Sequence, residues 1–190
     1  MEVYLVRHTK TVAPQGVCFG RSDVELAPGY NEIVPFIKKN LPEFPDAVFS
    51  SPLKRCVVLA KEIYRTEPVI DSRLMELDFG DWEMKKWDDI PQNRLLEWTE
   101  NYVNIPPEGG ESFSEMYKRV YGFFESEIFS SAYKKIAVFT HAGVLRCALA
   151  FARGIELQKT FDYEISHGTV LKLVKTEPVI TADIMPANRS

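Results

Sequence analysis

Two of the three histidines in this 190-residue sequence stand immediately after short apolar runs. His8 follows Glu2-Val3-Tyr4-Leu5-Val6-Arg7, and His141 follows Lys135-Ile136-Ala137-Val138-Phe139-Thr140. Each run has the length and β-branched content of a buried strand. In open parallel sheets ligands collect beyond the carboxyl ends of the strands, so Arg7, His8 and His141 are candidates for one site. A further short strand, Ala47-Val48-Phe49, leads through the helix-capping sequence Ser50-Ser51-Pro52 to Arg55, in the first turn of the next helix. Helix starts favour anions, and a guanidinium there offers a planar donor fork suited to phosphate. A neutral imidazole is a good nitrogen nucleophile at neutral pH. Two guanidinium groups and a second imidazole can neutralise the equatorial oxygens of a transferring phosphoryl group, the task magnesium performs elsewhere.

The elements that must position these residues follow from the apolar pattern. Breakers crowd residues 9 to 29, including Pro14, Gly16, Gly20, Pro28 and Gly29, and predict a loop over a sheet end. A helix to about Leu41, disturbed by Pro35, is expected next, then the strand at 47–49 and a helix from Leu53 to about Tyr64. Pro68-Val69-Ile70 reads as a short strand, and Asp71 to Asp89 as a loop-rich insertion. Helices are expected near 91–103 and from Phe113 to about Phe129, separated by Pro106-Pro107-Glu108-Gly109-Gly110. Val144 to Ala152 completes a strand-to-helix corner after His141. Two more strands are predicted at Asp162–Ile165 and Thr169–Val174, with a weak strand-like tail near Ile180 to Met185. The alternation predicts an α/β fold of three layers, a mostly parallel central sheet with helices on both faces.

Bulk properties narrow the function classes. The length suits one domain, expected over 1–190 with a core to about 175 and a short tail over 176–190. A hydrophobic share of 45% with 26% charged residues excludes an extensively disordered chain. The net charge of -4 gives no reason to expect nucleic acid or an anionic membrane as a partner. Cys18, Cys56 and Cys147 are odd in number and lack CxxC spacing, which fits a reducing cytoplasm. No signal peptide or membrane span is legible.

Five stretches, Leu5-Val6-Arg7-His8-Thr9, Ser50 to Arg55, Leu74 to Glu83, Gly109-Gly110-Glu111-Ser112 and Thr140 to Arg146, occur in the order used by the histidine phosphatase superfamily, the phosphoglycerate-mutase-like proteins. Ser166-His167-Gly168-Thr169-Val170 resembles that family's final strand turn, so the resemblance covers roughly residues 1 to 175. It implies His8 as the nucleophile, Arg7, Arg55 and His141 as partners of the phosphate, and Glu76 as the proton donor, with no cofactor and no metal. Glu76 would protonate the leaving alkoxide and later take a proton from water, which calls for a carboxyl pKa raised by burial or by nearby acids. Without the resemblance Glu76 is one of several acids in a loop, with Asp78, Asp81 and Glu83 as rivals.

Within the superfamily the chain is most similar to the α-ribazole phosphatase branch of cobalamin synthesis, through Cys18 to Asp23, Leu77 to Glu83 and Pro107 to Ser112. That branch implies α-ribazole 5′-phosphate or its cobalamin-linked form as substrate, with Gly20, Ser22, Glu111 and Ser112 as substrate-binding positions. The partner is then a small-molecule phosphate ester, with the oligomeric state, monomer or homodimer, left open. Trp82, Trp87, Trp98 and Tyr102 could cover a flat base or simply fill a core. Thr9 and Lys10 replace the family's usual glycine and glutamate, and Ser22 takes the hydroxyl role of a loop that lacks the usual asparagine. A sugar-phosphate phosphatase or mutase is the alternative substrate class, and a non-catalytic phosphate-binding module is the alternative of another kind. Cys147 and Arg153 have the C-x5-R spacing of cysteine-dependent phosphatases, but the residues between them read as helix interior.

Overall fold

The computed structural model describes residues 1–176 and 178–187. A six-stranded sheet in the order β3-β2-β4-β1-β5-β6 forms its middle. The strands are β1 (Glu2–Arg7), β2 (Ala47–Ser50), β3 (Val69–Ile70), β4 (Lys135–Thr140), β5 (Val170–Thr176) and β6 (Val179–Met185). Strands β3, β2, β4 and β1 pair in parallel, and β5 and β6 add an antiparallel hairpin at one edge.

Successive side chains of a strand face opposite sides, and β1 and β4 show the consequence. Val3 and Leu5, with Ile136 and Val138, pack into a core under α4 (Phe113–Phe123) and α5 (Ala142–Arg153). Tyr4 and Val6, with Ala137 and Phe139, pack into a second core under α1 (Val34–Lys39) and α2 (Lys54–Tyr64). Covered on both faces, these strands need unbroken apolar runs. The expected three-layer α/β sandwich is the observed architecture. The remaining helix, α3 (Gln92–Asn101), buries none of its residues.

Several expectations are corrected. Asp162–Ile165 is not a strand: a 3-10 turn spans Gln158–Asp162, and arginine side chains occupy the carbonyls a ladder would need. Arg146 binds those of Thr160 and Tyr163, and Arg7 that of Ile165. The weak tail at 180–185 is a full edge strand, paired with β5 from Val170↔Met185 to Thr176↔Val179. The segment expected as a tail thus contributes β6 to the sheet, and residues 188–190 of it lie outside the described residues. Pro35 does not disturb its helix, because it sits in the first turn of α1, where no backbone bond is lost. The helix after Phe113 ends at Phe123 and continues as a π-helical turn over Phe124–Phe129. Residues 71–89 form the expected irregular insertion, with 3-10 turns at Ser72–Leu74, Gly80–Trp82 and Trp87–Asp89.

Candidate active site

The exits of β1 and β4 lie side by side, and this register brings the two histidines together. The His8 backbone N–H donates to the Thr140 carbonyl at 3.0 Å, and the Arg7 N–H donates to the Thr169 carbonyl at 3.0 Å. His141 is the N-cap residue of α5. Its ring stands 5.2 Å from that of His8, edge to face. Both rings are buried, and both are held neutral, their pKa values well below 6.5. For His8 burial is the largest cause, with Arg55 adding to it; for His141 burial again leads, followed by His8 and Arg55. The Thr9 carbonyl accepts from His8 Nδ1 at 2.8 Å. That bond puts the proton on Nδ1 and leaves a lone pair on Nε2, the form a nucleophile requires.

Arg55 reaches the same place from the first turn of α2. Its side chain is 1% exposed. Nη1 donates to the Ser22 carbonyl at 2.7 Å and Nη2 to the Gly20 carbonyl at 2.6 Å, while Nε is buried with no partner. Arg7 is alike: Nη1 donates to the Ile165 carbonyl at 2.6 Å, and Nε is buried and unpartnered. Leaving a buried charged donor unpaired costs upwards of roughly 1–3 kcal/mol. Two such guanidinium groups beside two neutral imidazoles form a buried cationic cluster.

Neither Ser50 nor Ser51 is the cap residue of the helix: Ser50 Oγ donates to the Ser51 carbonyl, and Ser51 Oγ meets both the Leu53 N–H and His141. Leu53 is the N-cap residue of α2, and Ser51 Oγ lies 2.8 Å from His141 Nε2. Cys56 Sγ lies 3.5 Å from the same nitrogen, with burial pushing its thiol far up, so it is an inert packing group.

Glu76 is the acid that faces the cavity. It lines a space of about 350 Å³ with Phe79, Trp98, Tyr102, Phe161 and Arg146, a lining that includes none of its rivals Asp78, Asp81 and Glu83. Its Oε1 accepts from the N–H groups of Leu77 at 3.0 Å and Gly143 at 3.2 Å. From α4, Arg119 holds the carbonyls of Arg73, Met75 and Glu76, fixing the loop that carries the carboxylate. Asp78 pairs with Arg21 at 3.0 Å, and Asp81 is exposed. Glu83 accepts from the backbone N–H groups of Gly20, Arg21, Ser22 and Phe79 and from the Ser22 hydroxyl. Burial raises its pKa, but the bonds from Ser22, Arg21 and Phe79 together bring it below the usual carboxylate range.

The residues expected to bind substrate do supporting work. Gly20 and Ser22 offer carbonyls to Arg55, and the Ser22 hydroxyl is taken by Glu83. Glu111 bridges Arg21 and Arg119, and Ser112 caps α4 in a reciprocal pair with Glu115. None of the four lines the cavity. Of the four aromatic residues expected to cover a base, Trp98 and Tyr102 line it; Trp82 is buried behind Trp98, and Trp87 stacks on Trp98. Cys147 is enclosed in α5, and Arg153 turns to the Ala182 carbonyl, so the C-x5-R reading has no loop of free amides.

The sequence gives no role to His167 or Arg146, and names Glu83 only as a rival to Glu76, not as the acceptor that holds the 20–22 loop. His167 Nε2 lies 3.3 Å from Arg7 Nη2, and its ring is 5.5 Å from that of His8. Its place in a strand turn of the family pattern was the available signal. Among the described residues no group of three or more His, Cys, Asp or Glu side chains is placed to hold a metal ion, and no helix is long and apolar enough to cross a membrane.

A family model described as the histidine phosphatase superfamily, branch 1, matches residues 3–181. The protein named "Putative phosphoserine phosphatase 2" from Hydrogenobacter thermophilus is 29% identical over 90% of this chain and 88% of its own. The adenosylcobalamin/alpha-ribazole phosphatase of Escherichia coli is 28% identical over 88% of this chain and 87% of its own. The crystal structure of an alpha-ribazole phosphatase from Shigella flexneri superposes with a TM-score of 0.88 at 25% identity, over 97% of this chain and 96% of that one.

Proposed function

The chain belongs to the histidine phosphatase superfamily, branch 1, and is a phosphoric monoester hydrolase; we propose that it works through a phosphohistidine on His8 and that its substrate is α-ribazole 5′-phosphate or the cobalamin-linked form. Nε2 of His8 attacks phosphorus in line with the departing oxygen. The N–P bond forms as the P–O bond breaks, and Glu76 gives its proton to the leaving alkoxide. Glu76 then takes a proton from a water that attacks the phosphohistidine, the N–P bond breaks, and inorganic phosphate leaves. Arg7, Arg55 and His141 face the phosphoryl oxygens and stabilise their charge throughout. The observation that carries this reading is the pair of buried, unpartnered Nε donors of Arg7 and Arg55 beside a His8 whose Nε2 bears a lone pair.

The choice of substrate rests on the cavity at Glu76. Its walls are aromatic, Phe19, Phe79, Trp98, Tyr102, Phe113 and Phe161, and suit a flat heteroaromatic leaving group such as a benzimidazole riboside. Arg146 favours a second reading. It lines the same cavity over the Phe161 ring at 4.2 Å, and a cation there suits an alcohol bearing a carboxylate, such as phosphoserine. Measuring kcat/KM for α-ribazole 5′-phosphate, its cobalamin-linked form, phosphoserine, 3-phosphoglycerate and fructose 2,6-bisphosphate separates these. The riboside forms should lead, and a preference for phosphoserine or a sugar phosphate overturns the substrate assignment. A reducing cytoplasm belongs to the proposal, since Cys18, Cys56 and Cys147 are buried and unpaired.

A further inference from the structure

We infer that His167 is a positioning residue: its neutral imidazole accepts an N–H of Arg7 through Nε2 and sets the guanidinium that meets the phosphoryl group. The inference rests on the proposed reading of the site, in which Arg7 faces phosphate. Arginine carries donors only, so a contact of 3.3 Å between Arg7 Nη2 and His167 Nε2 requires a lone pair on that nitrogen. His167 is therefore the tautomer with its proton on Nδ1. Together with the Ile165 carbonyl on Nη1, it fixes two of the three nitrogens of Arg7 from a single loop, leaving Nε and the second N–H of each terminal nitrogen as further donors.

The same loop holds the backbone of β1. Gly168 N–H donates to the carbonyls of Arg7 and His8, and Arg7 N–H donates to the Thr169 carbonyl. A shift of His167 is thus a shift of both the guanidinium and the nucleophile. The charged and titratable groups facing His167 are Arg7 and His8 at the exit of β1, Lys10, Tyr30 and Glu32 across the adjoining cleft, and Glu164 on its own loop. Burial, with Arg7 and then Lys10 adding to it, brings its pKa down to about 4. The acceptor form is then the resting form at neutral pH.

The test compares His167→Asn, whose amide oxygen can still accept, with His167→Phe, which fills the space and accepts nothing, and His167→Lys, which places a permanent cation there. At pH 7 the asparagine variant should stay within a few-fold of the parent in kcat/KM, the phenylalanine variant should lose about tenfold or more, and the lysine variant should lose still more. Nitrogen NMR of the resting enzyme should show His167 protonated on Nδ1 and unprotonated on Nε2, and inorganic phosphate should bind the phenylalanine variant less tightly. Equal activity of the asparagine and phenylalanine variants, or a proton on Nε2, overturns the inference. These readouts on resting enzyme and bound phosphate do not require turnover through His8, so a failed nucleophile assignment, seen as activity surviving in His8→Ala, is told apart from a failed role for His167.

Discussion

Gly143 is the residue on which the placement of Glu76 turns. A Cβ at this position would lie 2.3 Å from Glu76 Oε1 and 2.8 Å from Met116 Cε. Ordinary contact begins near 3.4 Å, so in Gly143→Ala the carboxyl group must retreat by about 1 Å. A misplacement of that size costs about 100-fold in kcat, or about 2.7 kcal/mol of barrier. The loss should depend on the leaving group. An alkoxide needs the proton that Glu76 supplies, whereas p-nitrophenolate leaves readily without it. In kcat/KM, which reports the transfer to His8 and not the later hydrolysis, an alkyl phosphate should therefore fall about 100-fold and p-nitrophenyl phosphate much less. Unfolding cannot account for this difference. The site lies in the first turn of α5, and replacing glycine by alanine in a helix is favourable by up to about 1 kcal/mol, against the modest cost of moving the flexible end of Met116. Steady-state kinetics on both substrates, with a thermal melt as control, decide the matter. An undiminished kcat/KM for the alkyl phosphate, or an equal loss of kcat/KM on both substrates, refutes the placement of Glu76 as proton donor.

Acid should weaken the fold in two windows. His8 and His141 have folded pKa values below the 6.5 of the unfolded chain, so below pH 6.5 the unfolded state binds more protons and stability falls. His167, with its pKa brought down to about 4, adds to the same window, so the urea midpoint should be clearly lower at pH 5 than at pH 7, and matching midpoints contradict the burial of neutral rings. Glu83 acts lower: its folded pKa lies below 4.5, so its contribution is present above that pH and disappears as pH falls through the folded value. In Glu83→Gln the decline below pH 4.5 should be shallower than in the parent, and an unchanged decline would show that Glu83 has no part in it. Arg55→Lys keeps the charge but loses the fork that spans the Gly20 and Ser22 carbonyls, and kcat/KM should fall about 100-fold, with a change under twofold counting against a role in binding the phosphoryl group.

The sheet was legible where burial on both faces leaves an apolar run, as in β1 and β4, and faint where one side meets solvent. In β6 only Ala182 is fully buried, so its run carries little pattern. Asp162–Ile165 has strand-like residues, but arginines from elsewhere in the chain claim its carbonyls, and no local signal reveals that. Arg7, His8, Arg55 and His141 could be found because each stands just past a strand or at the helix start that follows one. Glu83 and His167 could not be placed, since their work depends on partners distant in sequence, the 20–22 loop for one and Arg7 for the other. The protein contacts of Gly20, Ser22, Glu111 and Ser112 are hidden from the sequence for the same reason. A motif records which polar residues stand together, and capping a helix or holding an arginine leaves the same mark in it as touching a substrate.

The most direct test is to trap the covalent intermediate. Rapid acid-free quenching of the enzyme during turnover of a labelled phosphate ester, in the presence of EDTA, should yield an acid-labile, base-stable phosphoramidate on Nε2 of His8, absent from His8→Ala together with the activity. Label on any other residue, or full turnover by His8→Ala, contradicts the account.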